Sequence, residues 1–355
     1  MMSSKIVSAK KIFTSQEWLI DSSLIIENET IVDIVPTSSI STAAHHHIYS
    51  SIVPSFIDIQ IYGAHEKLFA VYPSADALFK LYDYCSISGA LHFCPTVATN
   101  SYEVFYKCID AVKEYWNQNG KGCLGLHIEG PWINTIKRGA HIESFIHSPS
   151  IEEVKKLLEY GKGVIKIITL APEVCSKEVI ELIQSYNIVL SAGHSNATYQ
   201  HATDSFNNGI KTCTHLFNAM SSLQHREPGI VGAIFNHSSV CASIIPDGYH
   251  VDYAVVTIAK KIMKERLFVI TDAVTTTSEG LYPHQLAGDK YESNGTLSGS
   301  ALTMKKSVHN LITHCDIALE EALRMCSLYP AQVLGLSNLG KLQKGYNPSF
   351  IEWNE

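Results

Sequence analysis

Polar and ionisable side chains follow several short apolar runs of this 355-residue sequence, at the points where the runs end. The members of this set are Asp58, Gln60, Tyr62, His127, Glu129, His194, His215, Asp247, His250 and Asp272. A lone histidine in such a position is usually a hydrogen-bonded structural residue, and a lone aspartate often caps a helix. If the groups share one buried site, however, something must neutralise them, because burying several ionisable groups together is costly. We therefore expect a divalent cation among them.

One carboxylate and two imidazoles, from Glu129, His194 and His215, form a ligand set typical of catalytic zinc sites, which keep a fourth position open. Zinc lowers the pKa of bound water towards about 7 and polarises a carbonyl oxygen. Asp272 then has two candidate roles. It can take a proton from the attacking water and return it to a leaving amine, or it can be a further metal ligand. The residues alone leave both roles open.

These residues are far apart in sequence, so their convergence depends on the fold. From Ile52 onwards, short apolar runs alternate with segments whose apolar residues recur at three- and four-residue spacing. Such alternation indicates parallel βα units, and eight strands close a (β/α)₈ TIM-type barrel, whose chemistry lies at the carboxyl ends of the strands. A doubly wound open sheet is the alternative fold, but no Gly-x-Gly-x-x-Gly follows the first strand. The predicted strands are Ile52–Ile61, Ala90–Thr99, Cys123–Glu129, Val164–Ala171, Ile188–His194, Cys213–Leu216, Cys241–Pro246 and Leu267–Thr271.

The first fifty residues have a different pattern. Lys5–Phe13, Leu24–Glu27 and Thr30–Val35 are short β-branched runs separated by polar turns, which predicts a small antiparallel β unit. The last segment, Gly340–Trp353, has turn residues before a short apolar stretch and is expected to return to that unit. We therefore expect a small β-sandwich-like domain and a barrel domain. Their predicted bounds are 1–51 with 338–355 for the first and 52–337 for the second.

Ser38–Ser51 is rich in Ser, Thr and His and is predicted to be a loop. Its run His45-His46-His47 could bind a metal, but we favour a solvated loop. Further along the chain, helical spacing predicts helices in five segments. These segments are Ile151–Tyr160, Lys177–Tyr186, Tyr253–Lys264, Ser307–Cys315 and Leu319–Ser327.

Composition excludes several classes of function. The chain is 46% apolar, and 27 basic against 34 acidic residues give a net charge of −7. A mildly acidic protein without a Lys/Arg-rich run is a poor binder of nucleic acid or anionic membranes. No apolar run approaches the roughly 18 residues of a membrane span, and the N-terminus lacks the features of a secretory signal. Nine scattered cysteines without a Cys-x-x-Cys pair indicate reduced thiols, so we expect a cytoplasmic protein.

Six local strings occur in order across almost the whole chain. They are Leu126-His-Ile-Glu-Gly-Pro131, Ser191-Ala-Gly-His-Ser195, Thr214-His-Leu-Phe-Asn-Ala-Met220, Asp247-Gly-Tyr-His-Val-Asp252, Thr271-Asp-Ala273 and Gly295-Thr-Leu-Ser-Gly-Ser-Ala-Leu-Thr-Met304. Together they resemble the N-acetylglucosamine-6-phosphate deacetylase family of the amidohydrolase superfamily. The resemblance implies hydrolysis of N-acetylglucosamine 6-phosphate to glucosamine 6-phosphate and acetate. It also implies metal ligation by Glu129, His194 and His215, with Asp272 as general base and acid.

The resemblance further implies a set of substrate contacts. His141 would hydrogen-bond the scissile acetamide, and His250 would hold sugar hydroxyls. Arg226 resembles the phosphate ligand, since its planar fork suits that anion, although a surface ion pair is the alternative. Lys137 is a second cation candidate, acting across the interface of an expected homodimer. Groups lining the sugar pocket would come from Ala140, Asn218, Ala219, Leu297, Ser298 and Gly299, with a helix cap as the alternative role for Asn218.

One position departs from the superfamily pattern. Most amidohydrolases carry His-x-His at the end of the first strand, which supports a second metal, whereas this chain has Gln60 and Tyr62. Both are poor zinc ligands, so we expect one divalent ion per chain. Zinc is expected, although iron, cobalt and manganese suit the same ligands. The alternative functions are deacetylation of another N-acetylhexosamine phosphate, such as the galactosamine epimer, and sugar-phosphate binding with weak catalysis.

Overall fold

A computed structural model describes residues 5–40, 47–293 and 295–354. Its strands are β1 (Lys5–Phe13), β2 (Trp18–Glu27), β3 (Thr30–Pro36), β4 (Ile48–Pro54), β5 (Phe56–Ile61), β6 (Gly63–Ala64), β7 (Lys67–Leu68), β8 (Ala90–Ala98), β9 (Leu126–Glu129), β10 (Ile165–Leu170), β11 (Val189–Ala192), β12 (Thr212–Cys213), β13 (Cys241–Ile244), β14 (Leu267–Val269), β15 (Gln285–Ala287), β16 (Lys290–Ser293), β17 (Thr296–Ser300) and β18 (Phe350–Glu352).

The helices are α1 (Ala75–Ile87), α2 (Tyr102–Asn117), α3 (Ile151–Tyr160), α4 (Lys177–Ser185), α5 (Tyr199–Asn207), α6 (Gly229–Asn236), α7 (Tyr253–Met263), α8 (Met304–Cys315), α9 (Leu319–Cys326) and α10 (Leu328–Val333). The five predicted helices are confirmed to within three residues at either end. Within the described ranges, none of the helices combines the length and apolar character that crossing a membrane requires.

Eight strands form one parallel sheet in the order β5-β8-β9-β10-β11-β12-β13-β14. The sheet closes on itself after β14, where the Asp272 N–H donates to the Gln60 carbonyl at 3.0 Å and the Tyr62 N–H donates to the Ala273 carbonyl at 2.9 Å. The predicted TIM-type barrel is therefore confirmed. Its strands are shorter than predicted, because residues at the ends of the runs, such as His194, His215 and Thr271, lie outside the sheet.

The amino-acid pattern explains why the barrel is built from these elements. Every residue of β5, β9 and β14 is buried, as expected for parallel strands covered on both faces. The helices instead bury one stripe, as α3 does with Val154, Leu157 and Leu158. The Ser150 hydroxyl caps that helix by accepting from the Glu153 N–H, which satisfies one of the free amides of the first turn.

A second, five-stranded sheet has the order β18-β4-β1-β2-β3. The C-terminal strand β18 pairs antiparallel with β4, so the expected return of the C-terminus to the N-terminal unit is confirmed. This sheet has its own small apolar cluster, built around Ile12, Leu24 and Ile31.

Two local predictions around this sheet were wrong. Part of the predicted loop Ser38–Ser51 is the beginning of β4, and the predicted strand Ile52–Ile61 is two strands. The chain changes sheets at Ser55, whose N–H bonds the Ser349 carbonyl. Buried apolar residues on both sides of Ser55 conceal this change in the sequence. The division expected between residues 51 and 52 thus falls inside β4. His45 and His46 lie outside the described residues.

An additional three-stranded antiparallel sheet, β15-β16-β17, lies between β14 and α8. It was not predicted, since its strands have three to five residues and little alternation. The Ser300 N–H donates to the Asp272 carbonyl at 3.0 Å, and the Val274 N–H donates to the Ser300 carbonyl at 3.2 Å. These bonds fix the sheet to the end of the last barrel strand, beside the polar residues of the barrel mouth.

Candidate active site

A cavity of about 240 Å³ opens at the carboxyl ends of the barrel strands, where the active sites of such barrels lie. The structure brings nearly all of the predicted site residues to it. Its lining includes Glu129, Ala140, His141, His194, His215, Asn218, Ala219, His250, Asp272, Leu297, Ser298 and Gly299. The lining does not include the two predicted cations, Arg226 and Lys137, or four members of the strand-end set, Asp58, Gln60, His127 and Asp247.

Glu129, His194 and His215 meet in a compact cluster at this cavity. His215 Nε2 lies 3.1 Å from Glu129 Oε1 and 3.1 Å from His194 Nε2, and His194 Nε2 lies 3.4 Å from the same oxygen. Zinc bonds of about 2.0–2.1 Å in tetrahedral geometry place neighbouring ligand atoms roughly 3.3 Å apart. The three donor atoms therefore fit around one ion of this size.

The local backbone aims both imidazoles at the cavity. His194 and His215 follow β11 and β12 with φ of +47° and +36°, a conformation that is uncommon for residues other than glycine. His194 Nδ1–H donates to the Lys137 carbonyl at 2.9 Å. This bond fixes the ring and leaves the lone pair of Nε2 available to ligate a metal. The His215 N–H donates to Ser243 Oγ at 2.8 Å, while its buried Nδ1 has no hydrogen-bond partner among the described residues.

The electrostatics of the cluster suit a cation. Burial alone would raise the pKa of Glu129, but the adjacent imidazoles of His141, His194 and His215 outweigh it and hold that pKa well below its usual range. Burial, followed by the nearby His141, lowers the pKa of His194 to about 4. An ionised carboxylate beside a neutral imidazole is the protonation state that metal ligation requires.

His141 is a second histidine within reach of the same carboxylate. Its Nε2 lies 3.4 Å from Glu129 Oε2, and the donor atoms of Glu129, His141 and His194 all lie within 4.8 Å of one another. His215, however, approaches the same Glu129 oxygen as His194 and approaches it more closely. His141 Nδ1 is held by Thr99 Oγ1 at 2.7 Å. The geometry therefore favours His215 as the third ligand and places His141 beside the cluster.

Gln60 and Tyr62 hydrogen-bond the carboxylates of the site. Gln60 Nε2 donates to Asp272 Oδ1 at 2.7 Å and to Glu129 Oε1 at 3.1 Å, and the Tyr62 hydroxyl donates to Glu129 Oε2. Burial raises the pKa of Asp272; the nearby His215 opposes this increase and the charge of Glu129 adds to it. Asp272 is thus a carboxylate that can hold a proton more readily than usual, which suits a general base and acid.

His250 is oriented by Asp247. Its Nδ1–H donates to Asp247 Oδ2 at 2.6 Å, while Asp247 Oδ1 accepts from the backbone N–H groups of His250 and Tyr249 at 2.8 and 2.9 Å. Burial alone would raise the pKa of Asp247, but the hydrogen bonds from His250 outweigh it and lower that pKa. The arrangement leaves His250 Nε2 free to bond a ligand in the cavity.

Three further predicted residues, Arg226, Lys137 and Asn218, lie outside the Glu-His-His cluster. Arg226 is exposed, in the segment before α6. Lys137 is half-buried, and its carbonyl already accepts from His194. Asn218 does not precede a helix, and its Nδ2 lies 3.4 Å from the carbonyls of His215 and Leu216, so the alternative of a helix cap is wrong.

Sequence reasoning missed several residues at the cavity. Tyr282 donates its hydroxyl to the Thr99 carbonyl at 2.5 Å, and His284 Nδ1 lies 2.9 Å from Ser298 Oγ. Burial lowers the pKa of His284 to about 4, so this imidazole is neutral. No local signal identifies these residues, because they belong to the segment around β15 that was not predicted as strands.

An eight-stranded parallel barrel with a buried Glu-His-His cluster and an aspartate at its carboxyl end defines a metal-dependent hydrolase. A sequence profile described as the amidohydrolase family matches residues 51–355, and the chain belongs to that family. The family typically uses a divalent metal.

Individual relatives agree with this assignment. N-acetylglucosamine-6-phosphate deacetylase of Haemophilus influenzae is 32% identical over 94% of this chain and 91% of its own length. N-acetylgalactosamine-6-phosphate deacetylase of Escherichia coli O157:H7 is 27% identical over 98% of this chain and 94% of its own. The crystal structure of N-acetylglucosamine-6-phosphate deacetylase from Pasteurella multocida superimposes with a TM-score of 0.92 at 31% identity, covering 98% of this chain and 94% of that one.

Proposed function

We propose that this protein hydrolyses N-acetylglucosamine 6-phosphate to glucosamine 6-phosphate and acetate, in amino-sugar catabolism. The observation that carries the proposal is the convergence of Glu129, His194 and His215 beside Asp272 in one cavity. Relatives of that activity support it, because they match nearly the whole chain in sequence and in structure.

We further propose that Glu129, His194 and His215 hold one divalent ion per chain, and that this ion is zinc. The spacing of the three donor atoms supports this ligand set. A bound ion would act as a Lewis acid towards the acetamide carbonyl and would make water more acidic. Iron, cobalt and manganese accept the same ligands. Gln60 and Tyr62 support a single ion, since both already bond the carboxylates of the site.

Asp272 is proposed to move the proton. Its carboxylate accepts a proton from the attacking water and then delivers it to the amine nitrogen as the amide bond breaks. The raised pKa of Asp272 supports both halves of this task. His141 is proposed to donate from Nε2 to the acetamide oxygen as negative charge develops there, with its ring held by Thr99.

The sugar phosphate is proposed to be bound by groups around the cavity. His250 Nε2 would bond sugar hydroxyls, and Arg226 would pair with the 6-phosphate. The residues proposed to line the sugar pocket are Ala140, Asn218, Ala219, Leu297, Ser298 and Gly299. Neither Arg226 nor Lys137 lines the cavity, and we propose a homodimer in which a second copy completes the phosphate site. We also propose a cytoplasmic location and two domains that meet at Ser55.

N-acetylgalactosamine 6-phosphate is the alternative substrate, favoured by the Escherichia coli relative. A sugar-phosphate-binding protein with weak catalysis would not need Asp272 beside the metal ligands. The decisive experiment compares kcat/KM for acetate release from the two epimers, because contacts in the pocket set that choice. We expect the glucosamine epimer to be preferred, and release from neither would contradict the proposal.

Metal analysis of protein purified without added metal is the companion measurement. We expect about one tightly bound divalent ion per chain, and zinc as the main element. Anomalous scattering that shows two fully occupied ions bridged by Glu129 would contradict the single-ion site.

A further inference from the structure

Glu173 lies in the loop after β10, outside the lining of the cavity, and both of its carboxylate oxygens are engaged. Oε1 accepts from Asn134 Nδ2 at 3.0 Å and from the Asn196 N–H at 2.6 Å, and Oε2 accepts from the Ser195 hydroxyl at 2.7 Å. The donors belong to the loops that follow β9 and β11. One half-buried carboxylate therefore joins the ends of three consecutive barrel strands.

Both partner loops hold His194. Ser195 and Asn196 are the next two residues of the chain, so their bonds to Glu173 restrain the backbone on the carboxyl side of His194. On the same side, the Asn134 N–H donates to the His194 carbonyl at 2.9 Å. The same loop supplies the Lys137 carbonyl, which accepts from His194 Nδ1 at 2.9 Å. The partners of the His194 carbonyl and of its Nδ1–H thus both lie in the loop that Asn134 ties to Glu173.

His194 needs such restraint because its backbone conformation is unfavourable. Its φ of +47° lies in the left-handed region, and a residue other than glycine keeps that conformation only when its surroundings impose it. The restraint also extends to the next strand end. The Ser195 N–H donates to the Ala219 carbonyl at 3.0 Å, and the Ser195 carbonyl accepts from the Ser221 N–H at 3.0 Å. Glu173 is thereby connected to the loop that follows His215.

We propose that Glu173 is a positioning residue that holds His194 in the geometry needed to ligate the metal. It acts through Asn134, Ser195 and Asn196 and does not touch the substrate. The inference rests on the proposed metal site formed by Glu129, His194 and His215. Groups outside the ligand shell that orient a ligand typically change metal affinity about 10–100-fold when they are removed, and we expect an effect of this size.

The test compares metal release from the metal-loaded protein to an excess of chelator, measured for a small set of variants. Glu173→Ala removes all three bonds and should release the ion ~10–100-fold faster than the wild type. Glu173→Gln should stay close to the wild type. Its amide oxygen can accept from Asn134 and Asn196, and its amide group can donate to Ser195 Oγ. Glu181→Ala, on the exposed face of α4, is the matched control and should not differ from the wild type.

Steady-state kinetics separate a positioning role from a general loss of structure. For Glu173→Ala, saturating metal should restore most of kcat while KM for the sugar phosphate stays within a few-fold of wild type. If Glu173→Ala fails to fold, Ser195→Ala and Asn134→Ala each remove one bond to Glu173 and one local bond, from the Ala197 N–H and the Ile136 N–H respectively. Each should accelerate release by a smaller factor. A double variant of Glu173→Ala with Ser195→Ala should release the ion no faster than Glu173→Ala alone.

The outcomes distinguish this inference from the proposed function. A folded Glu173→Ala variant that releases its ion at the wild-type rate would overturn the role of Glu173 and leave the proposed activity intact. A wild-type protein that binds no divalent ion would instead contradict the proposed metal site, and the role of Glu173 with it. Faster release in a protein without deacetylase activity would support the positioning role and contradict only the assigned substrate.

Discussion

Two layers of buried polar side chains occupy the barrel, and on β9 they are only two residues apart. The inner layer consists of Asp58, His127, Thr169 and Thr271, and the cavity layer consists of Glu129, His194, His215 and Asp272. His127 and Glu129 are both on β9 and are both 2% exposed. The two layers nevertheless differ in how their polar atoms are satisfied.

Within the inner layer, each of these polar groups bonds another protein group. His127 Nδ1 lies 3.0 Å from the Ile59 carbonyl and Nε2 lies 2.8 Å from Thr169 Oγ1. Asp58 Oδ2 accepts from the Thr271 hydroxyl at 2.5 Å. In the cavity layer, the Nε2 atoms of two histidines instead converge on one oxygen of Glu129. The two layers therefore contain buried residues of similar types. They differ because lone pairs of several side chains converge on one point in the cavity layer, whereas the polar groups of the inner layer bond one another.

The largest effect is expected for Asp272→Asn, in the cavity layer. The variant keeps the shape of the side chain but cannot accept a proton, so kcat should fall by at least ~10²–10⁴-fold, the usual range for general acid–base catalysis. Metal content and substrate binding should persist. Loss of the metal, with activity partly restored by added zinc, would instead identify Asp272 as a ligand. A near-normal kcat with normal metal content would remove it from the chemistry.

Arg226→Ala tests whether substrate binding involves an exposed segment outside both layers. If the guanidinium pairs with the 6-phosphate, kcat/KM should fall by an amount equivalent to roughly 2–5 kcal/mol. The loss should nearly vanish with unphosphorylated N-acetylglucosamine, which the wild type should use poorly. Equal losses on both substrates would assign Arg226 a structural role.

Asp58→Asn tests the inner layer through the pH dependence of stability. Burial raises the pKa of Asp58 from 3.8 to about 7, although hydrogen bonds from Thr271 oppose the increase. The folded protein therefore holds this proton more tightly than the unfolded chain, so its contribution to stability is present below about pH 4 and is lost as the pH rises towards 7. At ~1.4 kcal/mol per pKa unit, the loss is at most roughly 4 kcal/mol. Urea unfolding measures the free energy of unfolding, which should decline less between pH 5 and pH 8 for Asp58→Asn than for the wild type. Equal declines would contradict the raised pKa of Asp58.

His127→Leu should produce the smallest change and should leave catalysis alone. It leaves the Ile59 carbonyl without its partner, which costs about 1–3 kcal/mol for a buried polar group. The free energy of unfolding should fall by that amount, while metal content remains at the wild-type level. Loss of the metal from a folded His127→Leu variant would show that the two layers are not independent.

Local patterns in the sequence were sufficient to predict the elements of the barrel. Apolar runs with polar ends and helical spacing are properties of neighbouring residues, and the eight strands and helices such as α3 follow from them. The same reasoning predicted that the residues at the strand ends would face one cavity, since parallel strands point their carboxyl ends the same way. That holds for Glu129, His194 and His215, whereas Asp58 and His127 lie in the inner layer. Resemblance to a family then suggested roles for residues such as His141 and His250.

Tertiary structure alone decided the features that depend on distances between distant segments. The approach of both the His194 ring and the His215 ring to the same oxygen of Glu129 is one such feature. The change of sheet at Ser55 depends on a hydrogen bond to Ser349, almost 300 residues away. No local sequence pattern distinguishes Glu173. Its proposed positioning role follows only from the three loops that meet at its carboxylate. The sequence by itself determined which residues lie at strand ends, because that property is local. Which of their atoms converge was decided by the closure of the barrel, because closure brings together residues from every strand.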